Sequence, residues 1–190
     1  MATSTVRTKG ELIEELYTLP DNMKAEIIDG VIVPMSPTNG KPSRVSGLIF
    51  ASLLAYEQRT GQGVALPNNA GFIVDLPRRW SFSPDASYLL DKSLDQNFVQ
   101  GAPIFAAEVR SKGHYGPKEE EAIRAKIADY FAAGTLVVWD VDALHEQVIR
   151  VYRADQPDQP TIYGIDDEAE AEPAVPGWRV AVSTLLNGVL

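Results

Sequence analysis

Two apolar runs bracket one strongly marked helix in the middle of the chain, and together they set its class. "APIFAAEVR" (102–110) and "TLVVWDV" (135–141) read as sheet strands, far short of the roughly 18 apolar residues of a membrane span. Between them lies "GPKEEEAIRAKIADYFAAG". Pro117 stands at a first helical position, Glu119 to Glu121 suit the positive helix N-terminus, and Gly134 closes the other end. The first run drives straight into Glu108, and glutamate is almost never fully buried without a partner. Either Glu108 caps a strand edge, or a cation shares its site.

The flanking segments extend the pattern. "KGELIEELYTL" (9–19) has helical spacing and stops at Pro20, and "AEIIDGVIVPM" (25–35) reads as two strands around an Asp29-Gly30 turn. A second helix is predicted over 44–59, ended by Gly61, followed by strands at "AGFIVDL" (70–76) and from Asp85 to Leu90. "EQVIRVYR" (146–153) forms a further strand joined to 135–141 by a tight turn. The expected fold is α/β (α+β): a mixed central sheet flanked by helices, with an N-terminal helix and hairpin. Its 190 residues suit a single domain, 1–190, with a core at about 25–153. Residues 155–173 are expected as an extended loop or weak hairpin, and 174–190 as a segment packing back on the domain.

Charge and rare residues narrow the chemistry. The net charge of −9 argues against a general nucleic-acid coating protein. Seven acids and no Lys or Arg fall within 155–173, so the remainder is near −2 and has room for a local basic surface. With no cysteine and two histidines, thiolate chemistry and multi-histidine metal sites drop out, leaving hard cations on carboxylates. The N-terminal stretch has no continuous apolar segment of a secretory signal, so a cytoplasmic location is the default expectation and no membrane is involved.

Asp85, Glu108 and Lys126 carry the chemical argument. If their strands are neighbours, Asp85 and Glu108 can point into one cleft about 4–5 Å apart. A divalent ion with oxygen ligands would relieve their repulsion; taken alone, the pair fits a strand cap and an edge charge equally. Lys126 shares a helix side with Ile123 and Tyr130, where it either stabilises charge on a phosphate or snorkels to water. The loop after Glu108 holds Arg110, Lys112, His114 and Lys118, a positive patch for a phosphodiester or a solvated loop. A two-carboxylate glycosidase leaves that loop and the lysine without a purpose.

In order along the chain stand "AEIIDGVIVPMSPT", "SPDASYL", "FAAEVRS", "KIADYFAAGTLVVWDVD" and "VIRVYR". This series resembles the bacterial restriction endonuclease family of unknown function, part of the PD-(D/E)xK nuclease superfamily, from about Ala25 to Arg153. The resemblance implies a restriction-endonuclease-like fold. It also implies a Mg²⁺ or Mn²⁺ ion on Asp85, Glu108 and the backbone carbonyl of Val109, with Glu26 as an additional acid. The superfamily's lysine two residues after the glutamate is Arg110 here, and the family's helix-borne lysine matches Lys126. Arg110, Lys112 and Tyr130 are the implied substrate-binding residues. Pro42 stands where many relatives carry histidine, and the usual S-P-S loop reads "SKGHYG". The expected function is metal-dependent hydrolysis of DNA phosphodiesters, with a homodimer by analogy; the alternative is a nuclease-like binding or regulatory module with a silent site.

Overall fold

Thr8 begins the first helix, α1 (Lys9–Tyr17), through a capping box. Its hydroxyl accepts from the Glu11 N–H while the Glu11 carboxylate accepts from the Thr8 N–H at 2.7 Å. The hairpin of β1 (Ala25–Ile28) and β2 (Val31–Pro34) turns on Asp29 and Gly30, whose φ angles of 50° and 72° need small or glycine residues. These positions come from a computed structural model describing residues 7–20 and 23–187. Residues 1–6 of the stretch read for a secretory signal, and 188–190 at the end of the C-terminal segment, lie outside it. Among the described residues no helix is long and apolar enough to cross a membrane.

α2 (Gly40–Thr60) follows, ending at Gly61. Then come β3 (Val64–Pro67), β4 (Phe72–Ile73), β5 (Ser81–Phe82), β6 (Ala86–Leu89), β7 (Val99–Gln100) and β8 (Phe105–Val109). The marked helix is α3 (Pro117–Ala132), and β9 (Val137–Asp142) and β10 (Val148–Arg153) succeed it. The chain closes with β11 (Gln156–Tyr163), β12 (Glu168–Glu170), β13 (Arg179–Ala181) and α4 (Val182–Asn187). Six strands form a mixed sheet in the order β11-β10-β9-β8-β6-β3, where only β8 and β9 run parallel.

Alternation divides the sheet's two faces. Phe105, Ala107, Val109, Val137, Trp139 and Val141 join the core beneath α2 and α4, while Ala106 and Val138 pack with Ile127 and Tyr130 of α3. Trp178 makes the C-terminal segment fold back. It stacks on Trp139 with centroids 4.8 Å apart and meets Phe105 edge-on at 5.5 Å. Gly134 ends α3 in a doubly bonded stop: its N–H reaches the Phe131 carbonyl and the Thr135 N–H reaches that of Tyr130, both at 3.0 Å. That stop fixes the helix turn carrying Tyr130.

Four segments differ from expectation. The strand predicted over 70–76 shrinks to Phe72–Ile73, because the Val74 and Leu76 N–H groups turn back onto the Trp80 and Arg79 carbonyls. β3 and β5 were not anticipated. Residues 155–173, expected as a loop or weak hairpin, contain the eight-residue edge strand β11, recruited by the free rim of β10 despite its polar sequence.

Asp142 ties the β9–β10 turn to the loop that follows β8. Buried, it accepts from the Tyr115 hydroxyl at 2.7 Å and from the N–H groups of Leu144, His145 and Glu146. Burial works to raise its pKa, but these donors hold the carboxyl below its ordinary range. A depressed carboxylate stabilises the fold above the unfolded pKa, near 3.9, and loses that contribution as pH falls through its folded value. Asp142→Ala should therefore cost about 1–3 kcal/mol at neutral pH. The gap between the two proteins should close below about pH 4, read by urea unfolding across pH. A gap independent of pH would show that the lost bonds are not charge-assisted.

Candidate functional site

Asp85 lies immediately before β6, where the β6–β8 ladder runs out. Its N–H still donates to the Ala107 carbonyl at 3.0 Å, and its Oδ2 then takes the Val109 N–H at 2.8 Å. The sheet thus places Asp85 beside the end of β8, on the strand next to Glu108. Ser46 of α2 donates to the Asp85 carbonyl at 2.7 Å, locking its backbone. Lys24 closes the arrangement, its ammonium 2.9 Å from Asp85 Oδ1 and 2.7 Å from Asn68 Oδ1.

Glu108 points to the α3 side of the sheet. Its Oε1 accepts from Lys126 Nζ at 2.8 Å and from the Tyr130 hydroxyl at 2.7 Å. Lys126 also sits 2.9 Å from Glu26 Oε1, so one ammonium bridges two carboxylates from different elements. The helix expected to carry Lys126 inward does so, and its Nζ also lies over the Tyr130 ring, 5.9 Å from the centroid. Behind this pair stands Arg79, 2.5 Å from Glu26 Oε2 and 2.8 Å from Asp129. Its guanidinium lies over Phe82, which stacks on Tyr130 at 4.0 Å.

The cations distribute charge unequally. Burial tends to raise the Glu26 pKa, yet Lys126 and Arg79 together hold it below the carboxylate range. Glu108 shares only Lys126; burial and the facing Asp85 and Glu26 push it above the usual range. Burial disfavours the charge on Lys126, but Glu108 and Glu26 outweigh it and raise its pKa, so the ammonium persists. Burial, then Glu108, raises Tyr130 well above an ordinary phenol, making it a fixed hydrogen-bond donor.

Several of the implied residues are engaged within the protein. Glu26 has both oxygens engaged, Oε1 by the Ser83 N–H at 2.9 Å and by Lys126, and Oε2 by Arg79. Both oxygens are thus paired within the protein. Arg110 is buried, with its Nε 2.7 Å and Nη2 2.6 Å from Asp140 and a further pair to Glu120, so its donors are spent within the protein. Tyr130 is fully buried behind Glu108 and does not face a substrate. Lys112 alone of the implied substrate contacts is exposed, its backbone N–H reaching Asn39 Oδ1 at 3.4 Å.

Lys24 and Arg79 were missed as site residues. Lys24 and Glu26 sit two apart along the β1 direction, so both side chains leave on one face; that alternation was the available signal. Arg78 and Arg79 are adjacent cations in the sequence, but Arg78 is exposed on Asp29 while Arg79 is buried. Among the described residues no group of three or more His, Cys, Asp or Glu side chains converges as a ready metal cage.

A family model described as "Uma2: Putative restriction endonuclease" matches residues 13–183. No curated protein matches the chain. Among solved structures, the crystal structure of "a putative nuclease belonging to DUF820" from Anabaena variabilis superposes with a TM-score of 0.73 at 18% identity. The match covers 94% of this chain and 98% of that one. At that identity the likeness shows the fold, a restriction-endonuclease-like mixed sheet flanked by helices.

Proposed function

The chain belongs to the family described as "Putative restriction endonuclease", and from that premise we propose that it is a Mg²⁺- or Mn²⁺-dependent endonuclease hydrolysing DNA phosphodiester bonds. One observation carries the reading: Asp85 and Glu108 emerge at adjoining strand ends while Lys126 holds Glu108 from the next helix. The donors fit a hard divalent cation, since two carboxylates and the Val109 carbonyl offer oxygen alone. Burial first, and then the charges of Asp85 and Glu26, raise Glu108, and a cation between Asp85 and Glu108 would relieve the repulsion of their carboxylates. Such an ion, when bound, polarises the scissile phosphate and supplies an activated water.

The protein's own residues do the rest. Asp85 and Glu108 would hold the ion, with Lys24 withdrawing from Asp85 Oδ1 towards Asn68 or the substrate. Tyr130 fixes the rotamer of Glu108 through its 2.7 Å bond. Lys126, its ammonium held by Glu108 and Glu26, would neutralise the charge gathering on the non-bridging phosphate oxygens. Glu26 and Arg79 keep Lys126 in place. We take the unit as one domain over 1–190, in the cytoplasm, pairing with a second copy by analogy with the fold.

A silent nuclease-like module is the competing reading, favoured by the Lys24 ammonium resting on Asp85. Calorimetric titration of Mn²⁺ into wild type and Glu108→Ala at neutral pH separates the two. Binding by wild type that disappears in the variant supports the metal site, and chelation should then abolish cleavage. Heat of binding equal in both proteins, or absent from both in the presence of an oligonucleotide, would leave the silent module.

A further inference from the structure

A pocket of about 340 Å³ opens beside Glu108 and Lys126, between the β1–β2 hairpin and α3. Its walls are largely apolar: Ile28, Val33 and Met35 on the hairpin side, Ile123 and Ile127 on the helix, and Val138 on the sheet. The Arg110–Asp140 pair lies deeper, already satisfied internally. Burying so much apolar wall around a charged centre serves no purpose for a phosphate backbone, which is read by cations and N–H donors. The volume falls at the low end of the roughly 300–1,000 Å³ occupied by small ligands. It admits one ring system and no part of a helix.

The charged surface agrees. The Lys112 loop lies against Asn39 at the start of α2, and Ser46 of that helix holds Asp85. Lys41, Arg44, Lys112 and Lys118 are exposed cations on the loop after β8 and at the starts of α2 and α3. With a net charge of −9 the chain as a whole repels a phosphate backbone, so part of the affinity has to come from elsewhere. A nucleobase seated between Val33 and Ile123 would supply it through its apolar faces, and its own phosphate would then lie against Glu108 and Lys126.

We propose that this pocket receives a single unpaired nucleobase, so that the substrate is a nucleotide free of its partner strand, either in single-stranded DNA or extruded from a duplex. The inference rests on the nuclease reading above and names the substrate of that site. Duplex DNA becomes a poor substrate because a base pair must first be broken.

The test uses the intact protein with Mn²⁺ and three oligonucleotides of one sequence: single-stranded, fully paired, and paired with one unpaired nucleotide. The first and third should be cut about tenfold or more faster than the second. Filling the pocket from either wall, by Val33→Trp on the exposed hairpin or Ile123→Trp on α3, should raise KM for the unpaired substrates while thermal unfolding stays unchanged. Equal cleavage of all three, unaffected by both tryptophans, overturns the base pocket and leaves the nuclease standing. Cleavage of none overturns the nuclease, and fluorescence then decides the pocket. With Ca²⁺ replacing Mn²⁺, an unpaired 2-aminopurine should brighten on binding wild type, since no ring but His114 lines the pocket, and not on binding Val33→Trp. No change with either protein overturns the proposal.

Discussion

Lys126→Met should lower phosphodiester cleavage by about 10²–10³-fold. It should also destabilise the protein by about 3–5 kcal/mol at neutral pH, because it leaves buried carboxylates without their cation. Its ammonium is shared between Glu108 and Glu26, at 2.8 and 2.9 Å. Glu26 would keep Arg79, but Glu108 would keep only the Tyr130 hydroxyl. Already raised in the native protein, Glu108 would then bind a proton readily. A carboxyl whose folded pKa is raised is penalised above that pKa and relieved as pH falls towards its unfolded value, near 4.3. The stability gap between variant and wild type should therefore shrink on acidification, as urea unfolding at two pH values would show. Adding Glu108→Gln should restore stability but not activity. Cleavage by folded Lys126→Met at the wild-type rate would place Lys126 in a purely structural role.

Arg110→Met should destabilise by a similar amount, about 3–5 kcal/mol, without direct harm to the proposed chemistry. Asp140 is buried in a strand whose side chains are all covered, and Arg110 meets it with two nitrogens at 2.6 and 2.7 Å. Without Arg110, Asp140 retains only Arg150, 3.8 Å away. Circular dichroism melting of the single variant, and of Arg110→Met with Asp140→Leu, reads the effect. The double variant should regain most of the loss, since an apolar pair of similar volume removes the buried charge altogether. A single variant as stable as wild type would contradict the burial of Asp140's charge, and would return Arg110 to the substrate contacts.

Arg110 also shows where reading the chain reaches its end. "EVRSKGH" displays a cation two residues after a glutamate, and nothing local shows that its partner is thirty positions away on the parallel strand. The hint lay in "VVWDVD": a carboxylate inside a fully covered strand requires a cation, and Glu108 pairs in register with Asp140, two residues before Arg110. The strongly patterned pieces were readable because their signal is local. α3, with its proline start and glycine stop, and the Asp29-Gly30 hairpin both formed where periodicity and turn chemistry put them. β3, β5 and β11 escaped because short strands are recruited by a neighbour's free edge, a tertiary event with little sequence signature. Asp85, Glu108 and Lys126 were visible as residue types at strand ends and on a helix face. Lys24 and Arg79 were not, because their significance lies wholly in the acids they meet.

The outer rim of the sheet has a bearing on how copies of this chain behave when crowded. Pro157 and Pro160 remove two N–H groups from the eight residues of β11, and its pairing with β10 breaks register between Val151 and Arg153. With Asp158 between the prolines, such a border offers an incoming strand too few donors and an unwelcoming charge. The opposite border, β3, ends on Pro67. Neither margin templates continued growth, so concentrated protein should resist fibrillar aggregation. Two copies meeting at either border of this sheet would do so through side chains, leaving their backbones apart.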